Sequence, residues 1–140
     1  MPLESFYPVL LAEDVEASAR FNTEHVGFEP LFESGWYVSL GYRENPAYEP
    51  AITSHDRGTI PESFGRPTST LLLNSEVPDI ESEHERLRAT GVEILQQLED
   101  LPAGQRHFIC RASGGLMVDV IQVVPPSPSS PSGTSRSRRA

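Results

Sequence analysis

Asp14-Val15-Glu16-Ala17 returns 65 residues later as Asp79-Ile80-Glu81-Ser82, and Gly27-Phe28-Glu29 returns after 64 residues as Gly91-Val92-Glu93. An echo at this period marks a duplicated structural unit. A short apolar run precedes each Asp, Tyr7-Pro8-Val9-Leu10-Leu11 in the first copy and Thr70-Leu71-Leu72-Leu73 in the second. Runs of this length suit buried strands. Behind each Asp lie about three turns of polar sequence closed by a glycine, the pattern of a helix with a carboxylate N-cap and a glycine stop. In the second copy Ile80 and Leu87 lie two turns apart on one face, with Glu81, Glu83, Glu85, Arg86 and Arg88 around them. One buried stripe packed on a sheet follows.

Beyond each glycine the pattern changes to strands. The first copy predicts strands over Phe28–Phe32, Trp36–Tyr42 and Tyr48–Thr53, and the second over Val92–Leu98, Gln105–Arg111 and Leu116–Val123. Ser34-Gly35, Glu44-Asn45-Pro46 and Ser113-Gly114-Gly115 supply the turns. His55 to Pro67 carries too many breakers for a regular element and reads as a linker of a length that often covers a site. The expected fold is α+β: a βαβββ module over about 3–54, a linker over 55–67 and a second module over about 68–124. A four-stranded sheet with one helix covers only one of its faces. Pairing two modules gives a curved eight-stranded mixed sheet whose hollow is the natural ligand cleft.

At 140 residues the chain holds one such domain. The 16 residues from Pro125 to Ala140, PPSPSSPSGTSRSRRA, have no apolar periodicity and are expected to form a disordered tail. The formal net charge is −9; setting aside Arg136, Arg138 and Arg139 of the tail, 20 acids face 8 arginines and the rest carries about −12. That charge repels nucleic acid and anionic membrane and attracts cationic small molecules, and it also serves solubility. The single cysteine, Cys110, excludes an internal disulfide and a cysteine-rich zinc site. No run approaches the roughly 20 apolar residues of a membrane span, no secretory signal opens the chain, and the cytosol is the expected compartment.

Tyr7-Pro8-Val9-Leu10 through Asp14-Val15, Gly27-Phe28-Glu29 and Gly35-Trp36-Tyr37-Val38-Ser39-Leu40 resemble the first module of the glyoxalase/bleomycin-resistance protein/dioxygenase (vicinal oxygen chelate) superfamily. Gly104-Gln105-Arg106-His107-Phe108-Ile109 and Gly115-Leu116-Met117-Val118-Asp119-Val120-Ile121-Gln122 resemble the closing hairpin of the second, so the likeness spans about residues 3–124. The closing turn departs from the usual Asp-Pro before glycine and reads Arg111-Ala112-Ser113-Gly114-Gly115. The resemblance implies a fold more firmly than an activity, since the superfamily contains metal-dependent isomerases, dioxygenases, antibiotic-inactivating thiol transferases and metal-free drug binders. Metal-using members draw their ligands from the first and last strands of each module, positions that fall near Tyr7, Glu49, Leu72 and Asp119. A leucine donates nothing and a neutral tyrosine little, so the resemblance implies no resident metal. Should an ion bind, Glu49, Asp119 and His107 are the available donors.

Among the histidines, His25 suits the C-terminal end of the first helix, His84 a semi-buried helix face and His55 a solvated linker. His107 lies within a strand and could serve as hydrogen-bond donor or general base. Asp119 between Val118 and Val120 calls for a partner or a wet cavity, because a lone carboxylate in an apolar strand is costly. His107 and Asp119 are thus the candidate catalytic groups. Trp36, Tyr37, Tyr42, Tyr48 and Phe64 offer an aromatic wall, with Trp36 and Tyr37 expected on opposite faces of their strand. Core packing or a dimer contact would use the same rings. The leading expectation is a metal-free protein that sequesters a cationic or aromatic antibiotic through Tyr7, Trp36, Tyr37, His107 and Asp119, working as a homodimer with two equivalent sites. The alternative is a glyoxalase-like metal-dependent lyase or dioxygenase. A metal-free general-base enzyme and a protein-interaction module complete the classes considered.

Overall fold

The computed structural model describes residues 1–125, so the expected tail, apart from Pro125, lies outside the described residues. Among the described residues eight strands and two α-helices follow one another as β1 (Val9–Ala12), α1 (Val15–Phe21), β2 (Glu29–Ser34), β3 (Tyr37–Gly41), β4 (Ala51–Ser54), β5 (Ser69–Glu76), α2 (Ile80–Ala89), β6 (Ile94–Leu101), β7 (Gln105–Arg111) and β8 (Gly115–Val123). They form two four-stranded mixed sheets of identical plan, β1-β4-β3-β2 and β5-β8-β7-β6, so the duplicated βαβββ pattern is the architecture of the chain. In the first sheet β1 runs parallel to β4 with Val9 beside Ala51, while β4, β3 and β2 alternate in direction. Parallel pairing of the first and last strands requires the helical crossover that α1 supplies.

Both helices begin as the echo predicts. Asp14 accepts a hydrogen bond from the Ala17 amide at 3.0 Å, and Asp79 accepts one from the Ser82 amide at 3.3 Å. Each cap satisfies an amide that has no partner inside its helix. Gly27 and Gly91 then adopt φ of 102° and 88°, a left-handed conformation that ends a helix at little cost only for glycine. α1 runs on through a π-helical turn, Asn22–Val26, where the Asn22 carbonyl accepts from the Gly27 amide.

Two compact units emerge from the contacts of the described residues: 1–73 with 111–117, and 74–110 with 118–125. In the first, Leu10, Ala12, Val15, Val38, Leu40, Ala51 and Ile52 form the core, and Val15, Ser18 and Asn22 make the buried stripe of α1 and its extension. In the second, Ile80, Leu87, Phe108, Cys110, Val118 and Val120 are buried. His84 packs edge-on against Phe108 with ring centroids 4.9 Å apart, the semi-buried placement expected of it.

Strand boundaries differ from expectation in physically explicable ways. Phe28 precedes β2, which extends instead to Ser34, and β4 opens at Ala51, leaving Tyr48, Glu49 and Pro50 in irregular chain. Pro50 has no amide hydrogen to give a sheet. β6 starts later than predicted and continues to Leu101, because register shifts on either side of Gln96 let it go on pairing with β7. The linker contains one short 3-10 turn, Glu62–Phe64, and His55 is no solvated entry to it. The His55 amide donates to the Ala12 carbonyl at 3.0 Å, and its Nδ1 bonds the Gly65 carbonyl at 2.8 Å, closing the linker at its base. Among the described residues no helix is long and apolar enough to cross a membrane.

Candidate functional site

In the second unit, alternation along β7 decides which side chains meet. Phe108 touches His84 of α2, and Arg106 reaches Glu81 of α2 at 2.8 Å, so the even-numbered residues face the helix. His107 faces the other way. On the neighbouring strand Gln122 accepts from the Ile80 amide at the start of α2, which turns Asp119 to the same face as His107. There His107 Nδ1 and Asp119 Oδ1 are 2.8 Å apart, with 9% and 8% of the two residues exposed. A carboxylate only accepts, so the imidazole donates through Nδ1 and its tautomer is set by the bond. The partner that the sequence could not name for either residue is the other one.

Across the strand pair, Glu99 of β6 stands in register with His107, and its Oε2 lies 3.5 Å from His107 Nε2. Nε2 is inaccessible to solvent and makes no well-aligned hydrogen bond. Glu99, His107 and Asp119 thus form a row across three strands, with carboxylates at opposite edges of one imidazole. Such a row can hold or pass a proton, but its oxygens do not converge on a point where a cation would sit. Among the described residues no group of three or more His, Cys, Asp or Glu could hold a metal ion. The superfamily's customary positions also fit an ion poorly: Leu72 has no donor, Glu49 is exposed in irregular chain, and Asp119 is engaged by His107.

In the first unit, Trp36 lies in the turn between β2 and β3 rather than on a strand, so strand alternation does not separate it from Tyr37. Their rings meet edge to face at 5.7 Å, and Tyr37 meets Phe32 at 6.3 Å. Trp36 and Tyr37 are half-buried, while Phe32 is 59% exposed. The turn that carries the indole is pinned by its backbone: the Trp36 carbonyl accepts from the Ser54 amide at 2.9 Å. The guanidinium of Arg57, a linker residue that sequence patterning had not singled out, sits 4.0 Å above the centroid of the Trp36 ring. Tyr7 is exposed just ahead of β1. The same unit contains a hollow of about 440 Å³ bordered by Leu10, Asp14, Ser18, Thr68, Ser113 and Leu116, and none of the expected site residues lines it.

A family model described as Glyoxalase/Bleomycin resistance protein/Dioxygenase superfamily matches residues 6–120. No curated protein matches the chain. Among solved structures, a glyoxalase/bleomycin resistance protein/dioxygenase from Nocardioides is 20% identical, with 96% of this chain and 91% of that one covered and a TM-score of 0.70. TnmS3, an antibiotic binding protein from Streptomyces sp. CB03234, is 18% identical over 87% of this chain and 97% of its own, with a TM-score of 0.68. TioX from Micromonospora sp. ML1 is 17% identical over 87% and 100%, with a TM-score of 0.70. At such identities the likeness speaks for the fold alone.

Proposed function

The chain belongs to the glyoxalase/bleomycin resistance protein/dioxygenase superfamily, and on that premise we propose that it is a metal-free small-molecule binder that sequesters a cationic or aromatic antibiotic. One observation carries the reading: the run of rings Phe32–Tyr37–Trp36, half-open to solvent and backed by a pinned turn. Partly exposed rings in edge-to-face and tilted contact present area and polarizable faces at small cost in side-chain entropy. The acidic charge favours cations, and the likeness to TnmS3, an antibiotic binding protein, is in keeping with the proposal. Tyr7, Trp36 and Tyr37, all in the first unit, would supply the apolar contact. A cytoplasmic homodimer with two equivalent sites is the proposed working form.

Calorimetric titration with cationic glycopeptide and other aromatic antibiotics tests the proposal. Saturable binding by the wild type that Trp36→Leu weakens at least tenfold is expected; no binding to any of them, with unchanged drug tolerance on expression, refutes it. Elemental analysis of protein purified without chelator is expected to find no stoichiometric metal, and finding one would favour the lyase or dioxygenase alternative. A second reading, proton-transfer catalysis without metal, is favoured by the row Glu99–His107–Asp119, in which Nδ1 is bonded to Asp119 at 2.8 Å and Nε2 faces the Glu99 carboxylate at 3.5 Å.

A further inference from the structure

The ring face of Trp36 is already occupied by a cation of the protein's own. Arg57 lies one residue beyond the Ser54–Asp56 contact and two beyond His55, the linker residue fastened to Ala12 and Gly65. Its carbonyl accepts from the Ile60 amide at 3.1 Å, so the backbone of this turn is bonded independently of where the side chain points. Arg57 itself is exposed. The guanidinium can therefore leave the indole by rotating its side chain, with the linker still closed at its base.

We propose that Arg57 is a resident competitor that caps a cation-recognition face on Trp36, and that the protein's ligand presents an ammonium or guanidinium group which takes its place. The proposal rests on the small-molecule binding reading and deepens it, naming the charge of the ligand and the ring that receives it. An exposed cation–π contact is weak enough to exchange, and a cation arriving from solvent replaces like with like. The exchange also rejects neutral aromatic molecules, which would have to uncover the ring without restoring a charge above it. In a domain of about −12, the displaced arginine remains solvated among acids, so moving it costs little.

Trp36 is the one tryptophan of the chain, so its fluorescence reads the exchange directly. Quenching by caesium ion, compared with neutral acrylamide at constant ionic strength, is measured for the full-length wild type, Arg57→Gln and Arg57→Lys. Caesium quenching is expected to rise about two- to fivefold in Arg57→Gln, the range for an exposed cation–π contact, with acrylamide quenching changed much less. Arg57→Lys keeps the cation and should stay near the wild type. Equal increases for both quenchers would make Arg57 a steric cover and overturn the proposal, as would no increase for either. Titration with benzyltrimethylammonium and its neutral isostere neopentylbenzene separates the two levels of the argument. Tighter binding of the cation alone in Arg57→Gln supports the competitor. Binding independent of residue 57 removes the competitor but leaves the binding protein. No binding of either compound, with antibiotics also inert, removes both.

Discussion

His107 and Asp119 show how a residue acquires meaning only from its neighbour across a sheet. Each alone is a polar group in a largely buried strand; together the Nδ1 donor and the carboxylate find each other while both residues are more than nine-tenths buried. Asp119→Ala strands the imidazole donor and is expected to cost on the order of 2–3 kcal/mol, the scale of a charge-assisted hydrogen bond. In chemical denaturation the double variant His107→Ala/Asp119→Ala should lose measurably less than the sum of the single ones; strict additivity would contradict the pairing. Cys110 is the opposite case, a titratable group kept neutral. Burial pushes its thiol up to about 11 from an ordinary 9.0. The native thiol should therefore remain unmodified by a disulfide reagent at pH 8, while the denatured chain reacts with one equivalent. Because the folded state holds this proton more tightly, the associated stability is complete below about pH 9 and is lost as pH rises through about 11, and Cys110→Ala should abolish that component.

At the scale of elements, the helix caps and the closure of the linker each carry a measurable consequence. Asp14→Ala and Asp79→Ala should each destabilise by about 1 kcal/mol, measured as a shift in the urea midpoint. Gly65→Ala should do more harm than its surface position suggests, by about 1–3 kcal/mol, because a methyl group there would lie 2.8 Å from the His55 carbonyl oxygen and pry open the base of the linker. The modules were legible because their signals are local: an Asp, a stripe at helical spacing and a glycine needing positive φ lie within one element. What was missed depends on register and loops. Glu99 fell outside the predicted strand, and only the shifts around Gln96 carry it opposite His107. Arg57 lies in a segment without periodicity, where nothing in the pattern says which ring a long side chain will reach. Trp36 was identified as an aromatic of interest, but a turn in place of a strand reversed its relation to Tyr37.

For the whole molecule, charge sets how a ligand arrives. With about −12 on the part that precedes the tail, affinity for a cationic ligand should fall several-fold between 50 and 500 mM salt in calorimetric titration, and a neutral ligand should show no such slope. Sedimentation equilibrium at micromolar concentration should return twice the mass of the 15.5 kDa chain for the proposed dimer; a monomer mass would remove the two-site arrangement. The pairing of Val9 with Ala51 has a further implication for how the chain comes together. β2, β3 and β4 are neighbours joined by short connections, whereas β1 must wait for a partner some forty residues downstream, so loop-closure entropy makes it the last of its sheet to be fastened. Until then β4 is a bare rim of unpaired amides and carbonyls. A protein shorn of its first twelve residues would keep that rim for good, inviting strands of other molecules to zip onto it.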